Sequence, residues 1–292
     1  MALSQDELKK IVRMALSEDI GPGDVTTQAL VLATATTSAL MVARESLTVA
    51  GLEMAELTFH ALSPAIQIVR HATDGEAVEK GRALLRISGP AAPILTGERV
   101  ALNFVQRLSG VATLTARYVA AVQGTEAQIL DTRKTTPGLR RLEKYAVACG
   151  GGKNHRMGLH DLILIKDNHV AALSGESKTP IALAVRRARE AYPFMKIEVE
   201  ADTLAQVSEA VEAGGNIILL DNMTLDQLRE SIRLVRGRAK TEASGGVNLD
   251  TVRAIAETGV DFISVGALTH SARSVDIALD FVEGGHHAES DV

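Results

Sequence analysis

The feature that most narrows the fold is a series of short apolar runs, QILDT, DLILIKDN, KIEVEAD, NIILLDN, KTEASGG and DFISVGA, spread over residues 128–267. Amphipathic stretches such as LAQVSEAVEAG and LDTVRAIAETG separate most of them, so strand and helix alternate about every 20 to 25 residues. Alternation of this kind implies parallel strands joined by right-handed crossovers, and the natural closure is an α/β barrel. All strands of such a barrel point their C-terminal ends at one mouth, which is where barrel enzymes carry their chemistry.

The residues leaving each run are therefore expected to converge. In order they are Asp131, Arg133 and Lys134, then Lys166 and Asp167, Glu200, Asp221 and Asn222, Ser244 with Gly245 and Gly246, and Ser264 and Gly266. A single charged residue leaving a strand is ordinarily just solvated, but a succession of six such ends is harder to dismiss.

Upstream the pattern differs. Leu8, Ile11, Val12, Ala15 and Leu16 recur at helical spacing behind a capping box of Ser4 and Glu7, and this helix is expected to end near Gly21-Pro22-Gly23. Up to about residue 95 the runs SALMVARE, IQIVRH and EAVEKGRALLRIS read as strands of a small α+β domain, with Gly75 and Gly81 at turns. DGEAVEKGRALLRI is similar to half of a lipoyl or biotinyl motif. The other half is missing, so Lys80 reads as a hairpin lysine. ILTGERVALNFVQRLSGVATLTARYVAAV then has helical spacing, with Gly110 as a possible break.

The net charge of −5, from 31 basic and 36 acidic residues, gives no general attraction to nucleic acid or to an anionic membrane. Three Tyr, five Phe and no Trp leave little to stack on bases. MALSQDELKK lacks the apolar run of a signal peptide, no stretch is long enough to span a membrane, and the cytoplasm is the expected location. Cys149, the single cysteine, suits a reducing compartment and reads as a small buried apolar residue.

Against this acidic background DTRKTTPGLRRLEKYAVACGGGKNHR gathers Arg133, Lys134, Arg140, Arg141, Lys144, Lys153, His155 and Arg156, with only Asp131 and Glu143 to balance them. GGGK is not a Walker loop, because Asn154 follows the lysine. Gly150 to Gly152 are expected to bend the chain so that His155 and Arg156 reach the mouth, whereas Arg140, Arg141 and Lys144 are expected on a solvated or subunit-facing helix surface. Several arginines imply a ligand with more than one carboxylate or phosphate. Ser244-Gly245-Gly246 and Ser264-Val265-Gly266 read as phosphate-cradling loops, the first with a helix starting at Asn248 or Leu249. Glu200 and Asp221, at the ends of adjacent strands, suit ribose hydroxyls or Mg²⁺ held through water.

GERVALNFVQRLSG, DTRKTTPGLRRLEKYAVACGGGKNHR, LIKDNH, EVE, LLDN and EASGG, in this order, resemble quinolinate phosphoribosyltransferase, the nicotinate-nucleotide pyrophosphorylase family; EDIGPGDVTT and SVGALTHSA extend the likeness over nearly the whole chain. The resemblance implies an N-terminal α/β sandwich (1–100, joined by 267–292 with a returning final helix) and an open barrel of about seven parallel strands (101–266). It implies decarboxylating transfer from phosphoribosyl pyrophosphate (PRPP) to quinolinate with Mg²⁺, in a homodimer or higher oligomer where Arg99 reaches the neighbouring site. It further implies that Thr132, Arg133, Lys134, His155, Arg156 and Lys166 bind the dicarboxylate and pyrophosphate. Glu200 and Asp221 would hold ribose and metal, and residues 244–246 and 264–266 the 5′-phosphate; Lys134, Lys166, Glu200 and Asp221 form the catalytic set. Three alternatives stay open: a related molybdenum-operon protein of the same fold, a Schiff-base aldolase on Lys166, and a non-catalytic phosphosugar-binding barrel. The tail GGHHAESDV is expected to be disordered rather than a metal site.

Overall fold

A computed structural model of the chain describes residues 4–282, which leaves the GGHHAESDV tail outside the described residues. The chain forms two compact units, one running to Thr113 and rejoined at Ala272, the other comprising Leu114–Ser271.

In the first unit, α1 (Gln5–Ile20) begins at the expected capping box, with Ser4 accepting from the Glu7 N–H and Glu7 accepting from the Ser4 N–H, and it stops at Gly21. It is followed by α2 (Val25–Leu30), β1 (Thr36–Ala43), β2 (Leu47–Thr48), α3 (Leu52–Leu62), β3 (Gln67–Arg70), β4 (Ala77–Val78), β5 (Ala83–Pro90) and α4 (Ala91–Ala121), whose residues from Leu114 on are counted with the second unit. β1 and β5 pair antiparallel at the centre of a four-stranded sheet, flanked by β3 and by a closing strand, Ile277–Val282. Ala39, Met41 and Ala43 alternate inward from β1 and join Leu85 and Ile87 of β5. The same core takes Leu52 and Phe59 from α3 and Ala101 and Val105 from α4.

Three local expectations are corrected. The segment that returns to this unit is a strand, not a helix: its residues 277–282 pair with β1 from Ala43 back to Ser38. Lys80 and Gly81 do form a turn, but β4 pairs with β2 and β5 with β1 and β3, so the turn crosses between sheets and is no hairpin. Gly110 does not break α4; a Cβ there would overlap the Arg273 carbonyl oxygen, so the glycine admits a close chain crossing.

In the second unit all six apolar runs are strands: β6 (Gln128–Leu130), β7 (Ile163–Ile165), β8 (Ile197–Ala201), β9 (Ile217–Asp221), β10 (Lys240–Ser244) and β11 (Phe262–Ser264). Their order, β6-β11-β10-β9-β8-β7, is parallel throughout. Between them lie α5 (Arg140–Cys149), α6 (Asp167–Leu173), α7 (Pro180–Ala191), α8 (Leu204–Glu212), α9 (Leu225–Val235), α10 (Val252–Ala256) and, after β11, α11 (Ala267–His270). Where about seven strands were expected, the seventh is reduced to one parallel bridge between Lys153 and Leu130. The Lys153 N–H donates to Ile129 O at 2.8 Å and the Asp131 N–H donates to Lys153 O at 3.1 Å. Among the described residues no ladder joins this bridge to β7, and the barrel is open there. Residues of β8 and β9 with helices outside them, such as Ile197, Val199, Ile218 and Leu220, are fully buried, while the alternate residues face inward. Among the described residues no helix is long and apolar enough to cross a membrane.

Candidate active site

The basic stretch divides into two structural roles. After β6 the chain turns outward through Thr132, whose hydroxyl accepts the Lys134 N–H at 3.0 Å, and presents half-buried Arg133 and exposed Lys134. The Lys134 carbonyl is tied down by the Thr269 hydroxyl at 2.7 Å, and its side chain lies against Gly266. Gly151 adopts φ +84°, and a Cβ at Gly152 would press on Thr115 and Val147, so the glycine run does bend the chain tightly after α5. That bend delivers Arg156, whose guanidinium donates to Leu162 O at 3.3 Å. Burial, and then the charge of Arg133, lower the Arg156 pKa. Arg133 Nε is buried with no acceptor among the described residues. A pair of like charges with an unused donor is poised for an anion with several oxygens.

The second role lies beneath the mouth and corrects the reading of α5. Lys144 is buried and ion-paired with Asp131, and it also donates to His155 O at 3.0 Å, so it is no solvated surface residue. Asp131 is equally enclosed: Asn154 donates to its second oxygen at 2.7 Å and the His155 N–H to its first at 2.9 Å. Burial drives the Asp131 pKa up and the Lys144 pKa down, each against the pull of its partner. Arg140 braces the mouth from behind through Thr135 Oγ1 at 3.0 Å and Met157 O at 3.2 Å. Cys149 is half-buried, not buried as expected.

His155 reaches the barrel interior. Its Nδ1 accepts the Arg156 N–H at 2.7 Å, so Nε2 carries the ring proton and donates to Glu198 at 2.9 Å, with Glu242 3.6 Å away. Burial works to lower the His155 pKa while the hydrogen bond and charge of Glu198 and the charge of Glu242 raise it, but the Arg156 N–H aimed at Nδ1 leaves no acceptor for a second ring proton, and this geometry holds the ring neutral. Glu242, enclosed and beside the charge of Glu198, is pushed up to about 8. Sequence reasoning missed both acids, although the signal was present: a glutamate inside a parallel strand breaks the continuous apolar run such strands usually show.

The carboxylates at the mouth form a separate group. Oxygens of Glu200, Asp202 and Asp221 lie within 4.8 Å of one another; Asp202, which sequence reasoning also missed, follows β8 by one residue. An all-oxygen set on a half-exposed edge fits a hard cation that keeps several waters, as Mg²⁺ does. Lys166, about half exposed, caps this edge with its Nζ 3.2 Å from Glu200 Oε2. A Schiff-base lysine works when desolvated, which this solvated, ion-paired position is not.

The two glycine loops differ from expectation in detail. Gly245 and Gly246 have φ of +96° and +62°, and a Cβ on Gly245 would overlap the side chain of Asn222, itself at φ +53°. Their N–H groups and that of Gly266 have no acceptor among the described residues. The helix after the first loop starts at Val252, not Asn248, and has five residues, so its dipole adds little; Asn248 instead closes an Asx turn onto Asp250 and Thr251. Val265 is buried and its N–H is spent on Leu130 O at 2.9 Å, while the buried Ser264 hydroxyl points to Ala243 O at 3.4 Å. These two residues shape the second loop and leave the exposed donors to the glycines. Arg99 belongs to the first unit, where it is exposed on α4 and lines an open cavity of about 330 Å³ with Asp19, Asp24 and Thr96.

A parallel α/β barrel whose mouth combines clustered arginines, glycine amides and a carboxylate edge defines a protein that handles phosphorylated, multiply anionic small molecules. Residues 24–109 match the N-terminal domain of the quinolinate phosphoribosyl transferase family and residues 111–280 match its C-terminal domain. The chain belongs to this family. It is 45% identical over 275 residues to the probable nicotinate-nucleotide pyrophosphorylase (carboxylating) of Bacillus subtilis, covering 94% of this chain and 93% of that one. A quinolinate phosphoribosyltransferase (decarboxylating) of Nicotiana tabacum is 43% identical over 94% of this chain and 82% of its own. The nicotinate-nucleotide pyrophosphorylase structure from Francisella tularensis superposes with a TM-score of 0.90 at 37% identity, covering 96% of this chain and 98% of that one. The corresponding protein of Ehrlichia chaffeensis gives 0.89 at 39%, with 97% and 100% covered.

Proposed function

We propose that the protein transfers the phosphoribosyl group of PRPP to the ring nitrogen of quinolinate, yielding nicotinate mononucleotide, CO₂ and pyrophosphate for NAD biosynthesis. The observation that carries this reading is the unused buried donor of Arg133, whose charge acts on Arg156, in a chain of this family. Such a pair recognises a dicarboxylate, and Lys134, Lys166 and the Thr132 hydroxyl extend the polar wall around it.

In the transfer, the pyridine nitrogen forms a bond to the anomeric carbon of ribose as the bond to pyrophosphate breaks. Positive charge builds on the sugar, and the carboxylates of Glu200 and Asp221 stabilise it from the ends of β8 and β9. Mg²⁺, held at Glu200 and Asp221 with Asp202 beside them, would neutralise charge on the leaving pyrophosphate. Gly245, Gly246 and Gly266 offer backbone donors to the 5′-phosphate, with Ser244 and the buried Ser264 and Val265 shaping the loops. Once ribosylated, the ring nitrogen is positive and stabilises the carbanion left when the adjacent carboxylate departs as CO₂. That carbanion takes up a proton, for which the exposed Lys134 ammonium is the donor we assign. No protein nucleophile is needed; the protein contributes position and charge.

The active unit in this reading is a homodimer or a higher homo-oligomer, in which exposed Arg99 completes the neighbouring site, and the protein works in the cytoplasm. A steady-state assay of quinolinate-dependent pyrophosphate and CO₂ release with PRPP and Mg²⁺ tests the reaction. Formation of nicotinate mononucleotide supports it, and PRPP binding without turnover overturns it.

A further inference from the structure

The reaction leaves one group of buried acids unused. Strand alternation puts Glu198 on the same face of β8 as Glu200 and Glu242 on the same face of β10 as Ser244, each one pleat, roughly 6 to 7 Å, below the mouth. Both side chains are enclosed, and Glu198 Oε1 and both oxygens of Glu242 have no partner among the described residues. With His155 they lie within 4.8 Å of one another, a spacing that a divalent ion accepts. The histidine tautomer opposes an ion. The Arg156 N–H points at Nδ1, so the ring proton is on Nε2, and a metal on Nε2 would push that proton onto Nδ1 against another donor.

A proton resolves the same accounting. One hydrogen on Glu242, donated to Glu198 Oε1, satisfies an orphan oxygen on each residue and removes one of two adjacent buried charges. Glu198 accepts that hydrogen and still keeps His155 Nε2 in its own hydrogen bond. The cations felt here are Lys144, which is committed to Asp131, and Arg156 itself.

We propose that Glu242 is a positioning residue of the active site, a neutral carboxyl that clasps Glu198 so that Glu198 fixes His155 and His155 fixes Arg156 for its anionic ligand. The proposal rests on the phosphoribosyl-transfer reading for its kinetic consequence and on geometry alone for its tautomer.

Two measurements test it separately. In ¹⁵N NMR of the full-length protein, with the His155 signals assigned from their loss in His155→Gln, wild type is expected to show an Nε2–H ring with an unprotonated, hydrogen-bonded Nδ1 at neutral pH. An Nδ1–H ring or a doubly protonated one overturns the proposal, whatever reaction the protein performs. In kinetics, Glu242→Gln keeps a neutral donor of the same shape and is expected to stay within about 3-fold of wild type in kcat/KM. Glu242→Leu is expected to raise the KM for quinolinate about 10-fold or more with a smaller change in kcat, the signature of lost binding geometry. Equal kinetic loss in both variants, or a leucine variant with lowered Tm and unchanged KM, refutes a positioning role. Absence of any turnover in wild type refutes the transfer reading and leaves the tautomer result standing on its own.

Discussion

Lys144 and Asp131 form an ion pair sealed under the barrel mouth, with side-chain exposures of 1% and 0%. Removing one partner of such a pair strands the other in a low-dielectric site, at a cost of about 3 to 5 kcal/mol. Lys144→Ala is therefore expected to lower Tm by roughly 10 °C in a thermal melt, given about 2 to 4 °C per kcal/mol for a unit of this size. The loss should exceed that of Arg186→Ala, whose pair with Glu190 is about 70% exposed on both sides. Equal shifts for the two variants would falsify the sealed-pair account.

Arg133→Ala and Lys166→Ala should act on chemistry and not on folding, because among the described residues neither side chain has a hydrogen-bond or ion-pair partner below the mouth. Each is expected to reduce kcat/KM by about 100-fold or more, as loss of a charge-assisted contact to the transition state does, with an unchanged circular dichroism spectrum. Near wild-type kcat/KM in either variant would show that the cationic wall is misassigned.

Arg99 gives a test of shared sites. Arg99→Ala should be inactive alone, and mixing it with Lys166→Ala should restore a fraction of activity, because a mixed dimer regains one intact site. If the mixture remains as inactive as its components, Arg99 does not cross between subunits.

Acid stability has a defined contributor in the first unit. Hydrogen bonds from Arg273 and from the Asp276 N–H hold the Glu45 pKa down at about 2, against an ordinary value of 4.5. The folded pKa is depressed, so the stabilisation is full above the unfolded value and fades as pH falls from about 4.5 towards 2. Arg273 is 69% exposed, and solvent screening reduces the effect to about 1 kcal/mol. Urea unfolding of wild type and Glu45→Gln should show a constant gap between pH 7 and pH 5 that closes below pH 4.5; a gap that widens in acid would assign the effect elsewhere.

The barrel strands were legible because six apolar runs of matched length alternate with amphipathic segments, and period is the strongest local signal a sequence carries. What stayed hidden depends on burial set by the whole fold. Lys144 and Arg140 look alike on a helical wheel, yet one is sealed against Asp131 and the other braces two loops. Glu198 and Glu242 sit inside their strands, away from the ends at which the chemistry of a barrel mouth is expected. The returning strand at Ile277–Val282 is only six residues long and pairs with a partner more than 230 positions earlier, beyond the reach of any local pattern. The short helix after Gly246 moved because Asn248 prefers to bond its own turn.

The order of the parallel sheet gives the mouth a direction. Read from the Lys153 bridge through β6, β11, β10, β9 and β8 to β7, the strand ends present guanidinium and ammonium groups, then glycine amides, then carboxylates, then a final ammonium. This is an asymmetric line of charge written by chain topology. A ligand with a bare phosphate at one end and a metal-bound anion at the other would find amide donors for the first only at the glycine loops and carboxylates for the second only at β8 and β9, so the sheet sorts head from tail before any bond is broken.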